Sequence, residues 1–205
     1  MKEPALPARA ETPPPPPSGR ADNSLKRLYR RARNLPDRLL HGRRFANARR
    51  SILEMGGVRS ILVVCYGNVC RSPYLEAVLR RDLPGVVVTS AGFVGPGRPV
   101  PPHSLAIAGA RGLDLSAFRS RPIGRVAVAA MDLVIVMDAN QARQVVRGFR
   151  VWPNRVIVAG DLDPLPAATR AIHDPWGESK DAFVSSFDRL DRCAETLTRL
   201  LRRSR

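Results

Sequence analysis

Cysteine is scarce: Cys65, Cys70 and Cys193 are the three in a chain of 205 residues. So few exclude a disulfide scaffold and fit a reduced, cytoplasmic protein. Long apolar runs are also missing, and none approaches the roughly 18 residues that cross a bilayer. The N-terminus has no charged-then-apolar signal pattern; it carries five consecutive prolines, residues 13–17, so secretion is not expected. Acidic side chains are few, with 18 Asp and Glu against 34 Lys and Arg and a formal net charge of +16. The surplus is densest at the start, where residues 1–59 hold 14 basic and 5 acidic side chains. Such a chain attracts anions.

Composition divides the chain into three stretches. Residues 1–23 hold few large apolar side chains and the proline run, which reads as a disordered tail. Residues 24–58 form a basic, helix-compatible extension, with Leu25, Leu28, Tyr29, Ala32 and Leu35 at helical spacing among arginines. Through residues 24–55 it has the character of a segment that lies on an anionic membrane surface or an acidic partner, or of a solvated helix packed on the domain. It matches none of the nucleic-acid-binding motifs, so nucleic acid is not an expected partner. Residues 59–205 read as a folded domain.

Within that domain, strands and helices alternate. Ile61-Leu62-Val63-Val64, Val86-Val87-Val88-Thr89, Leu133-Val134-Ile135-Val136-Met137 and Arg155-Val156-Ile157-Val158 have the apolar, β-branched content of buried strands. Helices are expected from Ser72-Pro73, over 103–112, over 139–149 and over 181–203. The pattern implies an α/β fold: a doubly wound, four-stranded parallel sheet with helices on both faces.

The segment joining the first strand to its helix carries the chemistry: Cys65-Tyr66-Gly67-Asn68-Val69-Cys70-Arg71-Ser72-Pro73. A helix N-terminus at the carboxyl end of a strand offers free backbone N–H groups to an anion. Gly67 and Asn68 tolerate the left-handed angles that turn successive N–H groups inward. Ser72 suits the helix cap, and Pro73 the first turn. Cys65 at the strand end would be a thiolate stabilised by this nest, by Arg71 and by the Ser72 hydroxyl. The planar fork of Arg71 suits two phosphate oxygens.

Cys, five residues, Arg and Ser is the signature of cysteine-based phosphatases. The fuller string Gly67-Asn68-Val69-Cys70-Arg71-Ser72-Pro73 resembles the low-molecular-weight protein tyrosine phosphatases. Later segments match in the family's order: Ser90-Ala91-Gly92, Gly112-Leu113-Asp114-Leu115-Ser116 before Arg119-Ser120-Arg121, Asp132 to Asp138, and Asp174-Pro175-Trp176. The resemblance spans residues 60–203. It implies phosphotyrosine hydrolysis through a phosphocysteine, with Cys65 as nucleophile, Arg71 as clamp and Asp174 as general acid. It also implies a phosphate loop of Tyr66, Gly67, Asn68, Val69, Cys70, Arg71 and Ser72, supported by Ser90. Neither metal nor organic cofactor is implied. In bacteria such enzymes often oppose tyrosine kinases that control exopolysaccharide production, so a phosphotyrosine protein and its kinase are the implied partners.

Several assignments remain open at this level. Asp163-Pro164-Leu165 is a second Asp-Pro pair, without the aromatic that lets Trp176 stack on a substrate ring. In the family the cysteine equivalent to Cys70 can form a protective disulfide with the nucleophile; a small buried side chain is the alternative. Cys193 falls on the apolar side of the last helix. Phe118 stands where the family often has His, which removes one polar support of the loop. Arsenate reduction on the same fold needs further redox cysteines, and a non-catalytic anion binder needs no nucleophile.

Overall fold

The computed structural model describes residues 37–126 and 128–203. The proline-rich tail and the part of the basic extension before residue 37 lie outside the described residues. Four parallel strands, β1 (Ser60–Cys65), β2 (Val87–Gly92), β3 (Leu133–Val136) and β4 (Val156–Val158), form one sheet in the order β2-β1-β3-β4. Among the described residues, the longer helices that accompany it are α1 (His41–Glu54), α2 (Arg71–Asp82), α3 (Pro102–Ala110), α4 (Ala139–Phe149) and α5 (Lys180–Arg203). None of these is long and apolar enough to cross a membrane.

The strands are apolar at consecutive positions because both faces are covered. Ile61 and Val63 of β1 and Leu133 and Ile135 of β3 face a core built with α1, α2, α3 and α5. Leu62, Val64, Val134 and Val136 face a second core closed by Val145 of α4 with Ile123, Val128 and Val151. In α5, Phe183, Phe187, Leu190, Leu197 and Leu201 recur at helical spacing and are all buried. Each such side chain contributes roughly 1.5–3 kcal/mol when fully buried. Tyr74 of α2 stacks on Phe187 with ring centroids 3.9 Å apart, joining α2 to α5 beneath the phosphate loop. Cys193 belongs to this core, as its helical position implied.

Sheet and helices appear where the alternation placed them, with two local differences. Helix α2 begins at Arg71, so Cys70 is the cap residue, without a side-chain cap bond. Ser72 lies inside the first turn, and its hydroxyl goes to the Cys65 sulfur instead. Between Gly67 and Asn68, only Asn68 takes the left-handed conformation, with φ +50°. Gly67 instead leaves room for Arg98: a Cβ there would lie 3.1 Å from Arg98 Nη2, a tight contact.

Candidate active site

Strand β1 delivers Cys65 to the carboxyl edge of the sheet, and the chain turns through residues 66–70 into α2. The first-turn N–H groups of α2 have no upstream carbonyl in the helix and are available to an anion. Cys65 Sγ lies 2.9 Å from Ser72 Oγ and accepts the Asn68 backbone N–H at 3.2 Å.

Asn68 fixes the direction of the hydroxyl bond. Its Nδ2 donates to Ser72 Oγ at 2.9 Å and to Ser90 Oγ at 2.8 Å, while its Oδ1 accepts the Arg121 N–H at 2.7 Å. Ser72 already accepts from Asn68, so its own proton is free to point at the sulfur. Ser90 likewise donates to Glu76 Oε2 at 2.5 Å. Glu76 is almost fully buried and is paired with Arg121 at 3.0 Å and Arg80 at 2.8 Å. A chain of directed hydrogen bonds therefore runs from a buried carboxylate to the Cys65 sulfur. It closes without an imidazole: Phe118 packs on the core with the Arg121 guanidinium 5.7 Å from its ring centre.

Glu76 and Arg98 escaped sequence reasoning. The signal for Glu76 was its position four residues after Ser72, on the same helical face. Arg98 Nη2 donates to the Gly67 carbonyl at 2.5 Å and to the Val94 carbonyl at 3.2 Å. A loop that turns its N–H groups inward must turn carbonyls outward, and Arg98 satisfies the one at Gly67.

The Ser90-Ala91-Gly92 segment has two separate duties. Ser90 joins the hydrogen-bond chain, and Gly92 makes room for the loop. A Cβ at Gly92 would lie 2.8 Å from both the Asn68 nitrogen and the Tyr66 carbonyl oxygen. We therefore expect Gly92→Ala to push the loop outward. It should cost about 1–3 kcal/mol of stability and more than about tenfold in kcat/KM, read by thermal unfolding and aryl phosphate hydrolysis.

Arg71 is buried, and its guanidinium is divided among partners. Nη1 donates to the Ile172 carbonyl at 3.0 Å, Nη2 pairs with Asp174, and Nε has no partner. Asp174 is partly exposed; the Trp176 N–H closes a turn on its Oδ1 at 3.3 Å. Asp163, the other Asp-Pro carboxylate, lies elsewhere: it is fully buried and held by Arg189 at 3.0 Å and Arg192 at 2.9 Å. Burial works to raise its pKa, but Arg192 and the Leu165 N–H outweigh this and bring it below the usual value. It serves as a structural ion pair.

Cys65, Tyr66, Gly67, Val69, Cys70, Arg71, Val94, Arg98, Asp174 and Trp176 line a cleft of about 150 Å³. Tyr66 and Trp176 are exposed at its mouth. All three cysteines are free thiols. Burial first, then the neighbouring Cys65 and Asp174, pushes the Cys70 thiol up to about 12. Cys70 is therefore protonated near neutrality and does not compete as nucleophile.

Comparison with known proteins agrees with this geometry. A family model for low molecular weight phosphotyrosine protein phosphatase matches residues 60–205. The chain is 32% identical over 136 residues to the probable low molecular weight protein-tyrosine-phosphatase EpsP of Ralstonia nicotianae, covering 66% of this chain and 90% of that one. Among solved structures, the Erwinia amylovora tyrosine phosphatase AmsI superposes with a TM-score of 0.64 at 28% identity, covering 69% of this chain and 92% of its own. The YwlE arginine phosphatase of Geobacillus stearothermophilus reaches the same TM-score at 26% identity, over 71% and 94%. The matched range, residues 60–205, takes in the sheet, the loop after β1 and the Asp174-Pro175-Trp176 segment, and the chain belongs to the low molecular weight phosphotyrosine protein phosphatase family.

Proposed function

We propose that the protein hydrolyses phosphotyrosine in protein substrates through a phosphocysteine intermediate, with Cys65 as nucleophile, Arg71 as phosphate clamp and Asp174 as general acid and then base. The observation that carries this reading is the setting of the Cys65 sulfur, which takes hydrogen bonds from Ser72 and the Asn68 N–H beside an arginine with a free Nε. The thiolate attacks phosphorus, the bond to the phenolic oxygen breaks, and Asp174 protonates that oxygen as it leaves. A water molecule then attacks the phosphocysteine. Asp174 takes its proton, the P–S bond breaks, and inorganic phosphate and the thiolate are released. Arg71 and the loop N–H groups hold the equatorial oxygens in both steps.

The substrate class follows from the walls. Tyr66, Val69, Val94 and Trp176 offer apolar and aromatic surface to a phenyl ring. The rival substrate is phosphoarginine, given the arginine phosphatase of the same fold. Its polar guanidinium would lie against those same apolar and aromatic walls, and Asp174, the one carboxylate among the lining residues, is already the group assigned to protonate the leaving atom. We expect a phosphotyrosine peptide to be hydrolysed at least about tenfold more efficiently than phosphoarginine. Asp174→Asn should lower kcat/KM for the peptide by about 10²–10⁴-fold. Equal or faster release from phosphoarginine would move the protein to the other substrate class.

In this reading the substrate is the product of a bacterial tyrosine kinase, and the enzyme works in the cytoplasm. The basic segment 24–55 would bring it to an anionic membrane surface or an acidic partner. In support, Leu39, Leu40 and Leu53 are exposed on the same stretch as the exposed Arg43 and Arg50.

A further inference from the structure

Helix α1 precedes the residues shared with the family, which begin at Ser60. It nevertheless reaches the segment that carries Asp174. Asp37, in the helical turn just ahead of α1, accepts the Arg170 backbone N–H at 3.3 Å and is ion-paired with Arg44 of α1. Arg170 in turn grips the buried Asp161 with both arms of its fork, Nε to Oδ1 at 3.0 Å and Nη2 to Oδ2. Two ion pairs, Arg44–Asp37 and Arg170–Asp161, are thus joined through the Arg170 backbone N–H and connect α1 to the backbone four residues before Asp174.

Packing runs in parallel with the charges. Ile52 and Ala48 of α1 are buried in the same core as Leu162 and Ile172. Ile172 is the residue whose carbonyl receives Arg71. The backbone at Arg170 has little slack: a Cβ at Gly160 would lie 1.9 Å from the Arg170 carbonyl oxygen. Other carbonyls of the segment are held from α5, where Arg189 donates to Thr169 and Ala171 at 2.8 Å and Ser186 to His173 at 3.0 Å. Those anchors lie inside the region matched by the family; the one at Arg170 comes from sequence ahead of it.

We propose that Asp37 and Arg44 make α1 a positioning element for the acid-bearing segment, so that the chain ahead of the family domain sets how efficiently Asp174 donates its proton. The proposal rests on Asp174 being the general acid. A proton donor must meet the departing oxygen at hydrogen-bond distance, and small misplacements are costly. Asp37 and Arg44 touch neither phosphate nor leaving group, and Ile172, which carries the Arg71 contact, is held separately by its own N–H on the Met137 carbonyl at 2.8 Å, so their loss acts on proton donation and leaves phosphate binding alone.

The test is a leaving-group series: kcat/KM for aryl phosphates from p-nitrophenyl phosphate to the more basic phenyl phosphate. Native enzyme should respond weakly to leaving-group basicity, because Asp174 neutralises the oxygen; Asp174→Asn should respond steeply. Asp37→Asn and Arg44→Gln should fall between, losing about three- to tenfold on phenyl phosphate and under about twofold on p-nitrophenyl phosphate, with inhibition by inorganic phosphate unchanged. Asp37→Glu should restore the native response. Native-like series for Asp37→Asn and Arg44→Gln beside a steep Asp174→Asn would overturn the proposal alone. So would a uniform loss across all substrates, the mark of a merely structural role. A flat Asp174→Asn series would remove the acid assignment and the proposal with it. If Asp37→Asn fails to fold, Arg44→Gln, which keeps both carboxylates, decides.

Discussion

Cys65→Ser should abolish turnover of aryl phosphates while inorganic phosphate still binds. The substitution exchanges a thiolate for a hydroxyl that stays protonated near neutrality, and a loss of at least about 10⁴-fold is expected for a nucleophile so central to the reaction. The binding groups remain in place: the Asn68 and Ser72 donors, the loop N–H groups and Arg71 do not depend on sulfur. Cys70 is no substitute: burial is the largest cause of its raised pKa and Asp174 adds to it, and both persist when the Cys65 sulfur is gone. Hydrolysis of p-nitrophenyl phosphate beside calorimetric titration with phosphate separates the two effects. Residual turnover above about 1% of native would point to a different nucleophile.

Arg71→Lys should be nearly as damaging, although charge is conserved. One buried guanidinium serves the Ile172 carbonyl through Nη1 and Asp174 through Nη2, and it keeps Nε in reserve. An ammonium has one nitrogen and cannot hold that carbonyl while presenting two parallel donors to phosphate. We expect kcat/KM for a phosphotyrosine peptide to fall by about 10²–10³-fold, with weaker inhibition by phosphate. A Lys variant within about threefold of native would mean that point charge suffices and fork geometry contributes little.

What the sequence revealed, and what it hid, follows from the reach of each constraint. The strand–loop–helix around Cys65 was legible because nearby residues do all the work: a buried apolar run, an Asn in the left-handed region, and Arg and Ser in the first helical turn. The sheet was legible for the same reason, each strand being a short run apolar on both faces. Glu76 was not, because a carboxylate on a helix reads as solvated until β2 brings Ser90 and the loop after α3 brings Arg121 against it. Asp37 was hidden more thoroughly: its partner Arg170 is 133 residues away. Ser72 carried two readings: the cap reading fails because α2 already begins at Arg71, while the contact of its hydroxyl with the Cys65 sulfur is present at 2.9 Å. Asp163 and Asp174 carry the same Asp-Pro signal; the aromatic Trp176 already favoured Asp174 in the sequence, and the arginines of α5 show why Asp163 is buried instead.

The ion pair between Arg71 and Asp174 has a consequence for phosphate binding. The proposed clamp and the proposed acid hold each other, so a phosphate that takes the guanidinium must displace the carboxylate. In the proposed reaction the displaced Asp174 is then the group that moves to the leaving oxygen. Loading the clamp and arming the proton donor would be one event. The same carboxylate competes with phosphate for the clamp at rest and cooperates with it during reaction, so removing it should pull affinity and chemistry in opposite directions.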